Sequence, residues 1–253
     1  MTGHARSVVV HPDATTLAQA TAARLLVRLI DAQSTHRPSH VVLTGGTVGI
    51  ATLAEVAASP LRDAIDWTGV HLWWGDERFL PTGHPDRNET QARAALIDHL
   101  PIPDANVHPM PALGPDVATP EDSARAYAQT LAELAGTRAG DDASPAVPAF
   151  DVVMLGMGPD GHVASLFPGH QALDVDDVTV VGVHGSPKPP PERVSLTFAA
   201  IECAEAVWFV AAGAEKADAV ARALAGDDVH STPAARPVGR RRTLWLVDVA
   251  AAG

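Results

Sequence analysis

Short runs of β-branched and other apolar residues recur along the chain, separated by longer stretches whose apolar positions fall three to four residues apart. The strand candidates are residues 8–10, 41–43, 70–74, 150–155, 178–183, 194–198, 207–211 and 244–247. The first helix is expected after Asp13, a capping residue, with apolar rows Leu17, Leu25, Leu29 and Ala18, Ala22, Leu26, Ile30. A second runs from the Gly-Gly turn to about Ala58, and a third lies near residues 88–100. Thr119-Pro120-Glu121-Asp122 places a cap, a proline at the first helical position and two acids in the first turn. That helix should reach about Ala135 and stop at Gly136, and a last one covers about Glu215 to Ala225. Residues 136–149, 184–192 and 226–238 read as loops, the last two as mobile ones. Strands alternating with helices predict an α/β fold with a mostly parallel sheet flanked by helices. No break in composition divides residues 1–253, so one domain is expected, with room for a small additional lobe.

Three polar or glycine-rich segments directly follow strands: Thr44-Gly45-Gly46-Thr47, Gly75-Asp76-Glu77-Arg78 and Gly158-Pro159-Asp160-Gly161-His162. In open α/β sheets ligands bind at the carboxyl ends of the strands, so all three belong to one candidate site. The Gly-Gly turn can bring backbone N–H groups and a helix N-terminus to an anion, although such a turn alone often serves only sterics. The charges after Trp73-Trp74 are more plainly solvated ends, unless Arg78 meets Asp76 or a phosphate. His162 sits in the most informative setting of the twelve histidines. Its ring suits proton transfer near neutral pH, and Asp160 stands two residues earlier across a glycine. Arg193 and Lys216 are further cations; Lys216, at a helix start, opposes the macrodipole unless an anion binds there.

Composition narrows the partners. The formal charge of −12 argues against nucleic acid or an anionic membrane, but not against a small phosphorylated ligand held by a local cationic cluster. The single cysteine, Cys203, rules out an intrachain disulfide and suits a reducing compartment. The opening residues lack a signal-peptide core, and no apolar run is long enough for a membrane span, so a cytoplasmic protein is expected. There is no HExxH, CxxC or EF-hand pattern to call for a metal, and no GxSxG elbow to supply a serine nucleophile.

Taken in order, LTGGT at 43–47, WGDERFLP at 74–81, HPDRNETQAR at 84–93, LGMGPDGHVASLFPG at 155–169, ERVSLTF at 192–198 and GAEK at 213–216 resemble the 6-phosphogluconolactonase family. Threonines stand where that family commonly has serines in the first loop. The resemblance implies a modified Rossmann-like fold, shared with glucosamine-6-phosphate deaminase and ribose-5-phosphate isomerase. It also implies hydrolysis of 6-phosphogluconolactone in the oxidative pentose phosphate pathway, with neither metal nor organic cofactor. By the same resemblance His162 is the catalytic histidine; the mechanism this suggests has Asp160 or Asp76 orient its ring. Gly45, Gly46, Thr47, Arg78, Gly158, Arg193 and Lys216 fall at phosphate or sugar contacts, and the Gly158–Gly161 turn or a nearby cation would stabilise the oxyanion. The rival readings are a deaminase or isomerase on the same fold, for which ASLFPG is the wrong continuation of DGH, and a non-catalytic sugar-phosphate sensor. A monomer is the expected state, with an oligomer left open.

Overall fold

The computed structural model describes residues 6–36, 38–135 and 145–253. The expected helix stop at Gly136 and the 136–144 part of the loop lie outside the described residues. In chain order the elements are β1 (Arg6–His11), α1 (Ala14–Thr35), β2 (Ser39–Leu43), α2 (Thr47–Ala58), β3 (Val70–Trp74), β4 (Asp76–Arg78), α3 (Asn88–Ala95) and α4 (Pro120–Glu133). There follow β5 (Phe150–Gly156), β6 (Val180–Val183), β7 (Arg193–Leu196), α5 (Phe198–Ile201), β8 (Ala206–Ala211), α6 (Ala217–Ala225), β9 (Arg242–Asp248) and α7 (Val249–Ala252).

Six strands form one sheet in the order β1-β9-β8-β5-β2-β3, and every neighbouring pair is parallel. Both faces are covered, as parallel sheets require. The two-residue period divides β2, β3, β5, β8 and β9 between two cores, while in edge strand β1 Val8 and Val10 stay exposed and Val9 packs against one core. Val153 and Leu155 of β5 join Trp73, Phe209 and Trp245 on one face, with Tyr127 and Leu131 of α4 and Val220 of α6. Val152 and Met154 join Leu72, Trp74 and Leu246 on the other, under Leu25 and Leu29 of α1 and Leu53 of α2. A one-residue slip of any central strand would exchange its two sets.

Local signals account for most boundaries. The Asp13 carboxylate accepts from the Thr16 N–H at 2.7 Å and opens α1. Thr119 and Asp122 close a reciprocal capping box on α4. The third helix is shorter than expected: it ends at Ala95 and a 3-10 turn (Ile97–His99) follows. Pro101 biases Leu100 towards the extended conformation it adopts, so a helix through residue 100 is disfavoured. The strand expected over 194–198 stops at Leu196, because the Thr197 hydroxyl accepts from the Ala200 N–H and starts α5. A 3-10 turn (Ala214–Lys216) precedes α6, which leaves Lys216 at the helix cap.

A second sheet, β4-β7-β6, is antiparallel. Its strand β4 is Asp76-Glu77-Arg78, three charged residues that no apolar alternation would mark as a strand. Pairing β4 with β7 sets Asp76 opposite Ser195 and Arg78 opposite Arg193. In the large sheet the connections diverge between β2 and β5: β2 leads outward to β3, and β5 leads the other way to β8 and β9. This switch point lies between the Gly-Gly turn and the segment that carries His162.

At the opposite end of β2, burial and the like charges of His71, His108 and His36 lower the pKa of His40 to about 3. Its Nδ1 accepts from Trp73 Nε1 at 3.1 Å. The unfolded chain therefore binds a proton below about pH 6.5 that the folded chain refuses, and stability falls as the pH drops below that value. By pH 5 the loss is about 2 kcal/mol from this residue. Urea unfolding of wild type and His40→Asn across this range should show a flatter dependence in the variant; parallel curves would contradict the assignment.

Candidate functional site

A cleft of about 730 Å³ opens at the carboxyl ends of β2, β5 and β8. Gly45, Gly46, Thr47, Asp76, Arg78, Gly158, His162, Arg193 and Lys216 all line it, and Asp160 reaches it through His162. The Thr44 hydroxyl accepts from the Gly156 N–H at 3.0 Å and so joins the two glycine-bearing loops across the switch point. Thr44 thus serves as a tie between loops as well as part of the wall.

His162 and Asp160 form a tight pair, with 2.5 Å between Nδ1 and Oδ1. Burial alone would raise the Asp160 pKa. The hydrogen bond and charge of His162, with the charge of Lys188, outweigh that and bring it down to about 2. An ionised Asp160 accepts from an Nδ1–H, which leaves Nε2 as the ring nitrogen free to take a proton. Phe167 packs against the imidazole with ring centroids 4.5 Å apart. Gly158 is required beside this pair: a Cβ there would stand 2.0 Å from His162 Nδ1 and 2.2 Å from Asp160 Oδ1.

Asp76 is placed otherwise. Its carboxylate accepts from the Ser165 hydroxyl at 2.7 Å, and its carbonyl accepts from Asn88 Nδ2 at 2.9 Å. Of the two aspartates weighed as partners for the imidazole, the structure brings Asp160 to it, while Asp76 ties β4 to the segment after His162. The turn expected to offer oxyanion donors is also committed elsewhere. The Gly158 N–H donates to the His162 carbonyl at 2.9 Å and the Gly161 N–H to the Gly158 carbonyl at 3.0 Å. Those two N–H groups close the turn and are not available to a ligand.

Neutral oxygens hold the cations in place. Arg78 donates to the Asp86 carbonyl at 2.8 Å and to Asn88 Oδ1 at 2.7 Å. Arg193, only 5 % exposed, donates to the carbonyls of Lys188, Pro189 and Pro190. Carbonyls orient a guanidinium without cancelling its charge. Like charges directly opposite on paired strands are unfavourable, yet Arg78 and Arg193 are register partners. An anion between them would offset that repulsion. The Gly-Gly turn meets the same region: a Cβ on Gly45 would lie 1.9 Å from Asn88 Oδ1. Gly46 is the N-cap of α2 and brings no side chain to its first N–H groups, which lie where Thr47 and Val48 line the cleft.

Residues 12–245 match the family described as glucosamine-6-phosphate isomerases/6-phosphogluconolactonase. The chain belongs to this family. It is 54 % identical over 246 residues to a 6-phosphogluconolactonase of Streptomyces coelicolor, covering 97 % of this chain and 93 % of the relative. The Mycobacterium tuberculosis 6-phosphogluconolactonase is 45 % identical over 243 residues, covering 96 % and 95 %. Among solved structures, the 6-phosphogluconolactonase of Trypanosoma brucei superposes with a TM-score of 0.85 at 33 % identity over 99 % of this chain and 98 % of that one. A monomeric glucosamine-6-phosphate deaminase superposes at 0.75 with 17 % identity, over 97 % and 98 %, a likeness of fold alone.

Glu77 and Lys188 carry no role in the sequence reading, and Asn88 stands there only within the HPDRNETQAR motif. Glu77, the buried middle residue of β4, accepts from the backbone N–H groups of Arg78, Asn88 and Glu89. Asn88 links Arg78, Asp76 and the Gly-Gly turn. Lys188 lies 3.5 Å from His162 Nδ1 and 3.8 Å from Asp160 Oδ1. The Pro-rich stretch around it read as a mobile loop; in the structure it is tied back by Arg193 and Ser186. The 226–238 stretch is tied as well, with the Ala234 N–H donating to the Gly161 carbonyl beneath the His162 turn. Among the described residues no cluster of His, Cys, Asp and Glu is arranged for a metal, and no helix is long and apolar enough to cross a membrane.

Proposed function

We propose that this chain hydrolyses 6-phosphoglucono-1,5-lactone to 6-phosphogluconate, with His162 as the general base. The pairing of an Asp160-bound imidazole with Arg78 and Arg193, both held by neutral oxygens in one cleft, carries this reading, and the named relatives support it. The phosphate sits among Arg78, Arg193, Lys216 and the N–H groups of the turn at Gly45, Gly46 and Thr47. That anchoring presents the lactone carbonyl to His162, so binding at one end of the substrate positions the other. Nε2 takes a proton from water as the water oxygen bonds to C1. The tetrahedral intermediate collapses with cleavage of the C1–O5 bond, and the imidazolium returns its proton to O5. Asp160 holds the Nδ1–H tautomer throughout and stabilises the imidazolium. Water supplies every atom added, so the chemistry balances without a cofactor.

Freshly generated 6-phosphogluconolactone, corrected for spontaneous opening, should open faster with wild-type protein, while glucosamine 6-phosphate should release no ammonia. Ammonia release without lactone opening would transfer the site to the deaminase reading. Binding of both sugar phosphates with neither reaction would leave a sensor.

A further inference from the structure

We propose that Lys188 is a positioning residue that sets the charge balance of the Asp160–His162 pair and keeps the imidazole available as a base. The inference deepens the lactonase reading and rests on it for its catalytic meaning. A carboxylate bonded to Nδ1 favours the imidazolium, because the second proton then completes an ion pair. An imidazolium cannot accept a proton from water. A cation at the same carboxylate opposes that preference, and Lys188 is the cation so placed. The Nδ1 proton already points at Asp160, so the ammonium has no acceptor on that nitrogen and acts through its charge, with Asp160 Oδ1 as its direct partner.

The placement is built into the loop. Ser186 accepts from the Lys188 N–H at 3.2 Å and donates to the Lys188 carbonyl at 2.9 Å. Its own N–H donates to the Pro191 carbonyl at 3.0 Å. From the other side, Arg193 gathers the carbonyls of residues 188, 189 and 190 at 2.8–3.1 Å. The groups bearing on the imidazole are then Asp160, Lys188 and the uncharged Phe167 ring. Arg193 and Lys216 add positive charge around Lys188, and with burial they weaken its hold on its own proton, while Asp160 strengthens it. The Lys188 ammonium lies 3.5 Å from His162 Nδ1 and 3.8 Å from Asp160 Oδ1, at the reacting centre, while Arg193 and Lys216 act on it through charge.

The test follows the His162 ring by nitrogen-detected NMR titration in wild type, Lys188→Met and Lys188→Arg, with the signal assigned by its loss in His162→Gln. The Lys188 side chain is 42 % exposed, and thermal unfolding of each variant checks that the fold is kept. In Lys188→Met the ring should take its proton about one pH unit higher than in wild type, and Lys188→Arg should return it. The acid limb of kcat/KM should move with it, equally for 6-phosphogluconolactone and for unphosphorylated gluconolactone. An unmoved ring titration overturns the proposal. If in that case KM rises for the phosphorylated lactone alone, Lys188 is a phosphate ligand; if kcat falls on both substrates, it touches the reacting atoms. The ring titration stands even if wild type opens no lactone, so failure of the lactonase reading is read separately.

Discussion

Replacing His162 by alanine should lower kcat/KM for 6-phosphogluconolactone by about a thousandfold, within the range general-base catalysis supplies. The variant should still bind 6-phosphogluconate, because Arg78, Arg193 and Lys216 are held by other parts of the chain. Arg78 depends on Asp86 and Asn88, and Arg193 on carbonyls 188–190. Asp160→Asn tests the orienting bond separately. An amide can accept from Nδ1–H through its oxygen but brings no charge to stabilise the imidazolium, so turnover falls while binding persists. Titration calorimetry with the product, beside the rate assay, separates the two roles. A His162→Ala enzyme with undiminished kcat would remove this residue from the mechanism. Parallel loss of binding and rate would point to a collapsed cleft instead.

Replacing Glu77 by alanine should destabilise the fold by about 3–5 kcal/mol, the cost of removing one partner of a buried ion pair and leaving its donors unsatisfied. Glu77 is 1 % exposed, and its carboxylate accepts from three backbone N–H groups at 2.7–2.9 Å. Buried Arg87 lies 3.8 Å away. Burial pushes the Glu77 pKa up, against the pull of Arg87 and of those three N–H groups. Alanine would strand the N–H groups that open α3 and leave Arg87 with Glu89, 3.9 Å away, as its remaining carboxylate. Glu77→Gln keeps an oxygen but turns an NH₂ towards donors, so it should fall between wild type and alanine. Urea unfolding measures the loss, and a change under about 1 kcal/mol would show that water or a shifted side chain replaces the carboxylate. Activity should fall as well, since Asn88 and Arg78 hang from the same turn.

Much of this was legible along the chain. The bounds of β3 and α2 follow from an apolar run ending at Gly75 and from a Gly-Gly turn opening a helical pattern. The capping box of α4 is local chemistry, complete within four residues. His162 and Asp160 sit two apart, so their pairing needs only the intervening glycine turn, and Arg78, Arg193 and Lys216 line the same cleft.

What stayed hidden depends on partners far away in sequence. A strand made of Asp, Glu and Arg carries no pattern of its own. It becomes β4 because β7 supplies its hydrogen bonds from more than a hundred residues on, and that register alone sets Arg78 opposite Arg193. Glu77 reads as one more solvated charge until α3 folds its N–H groups onto it. Lys188 reads as a lysine in a proline-rich loop until Arg193 collects the carbonyls around it. Sequence by itself determined the alternating α/β order and the helix caps, because those rest on periodicity and on bonds between near neighbours, and it offered Asp160 beside Asp76 as a partner for His162. Tertiary structure decided the second sheet, the buried carboxylate and the placement of Lys188, because a charged side chain carries no sign in the sequence of whether water or a distant backbone will satisfy it.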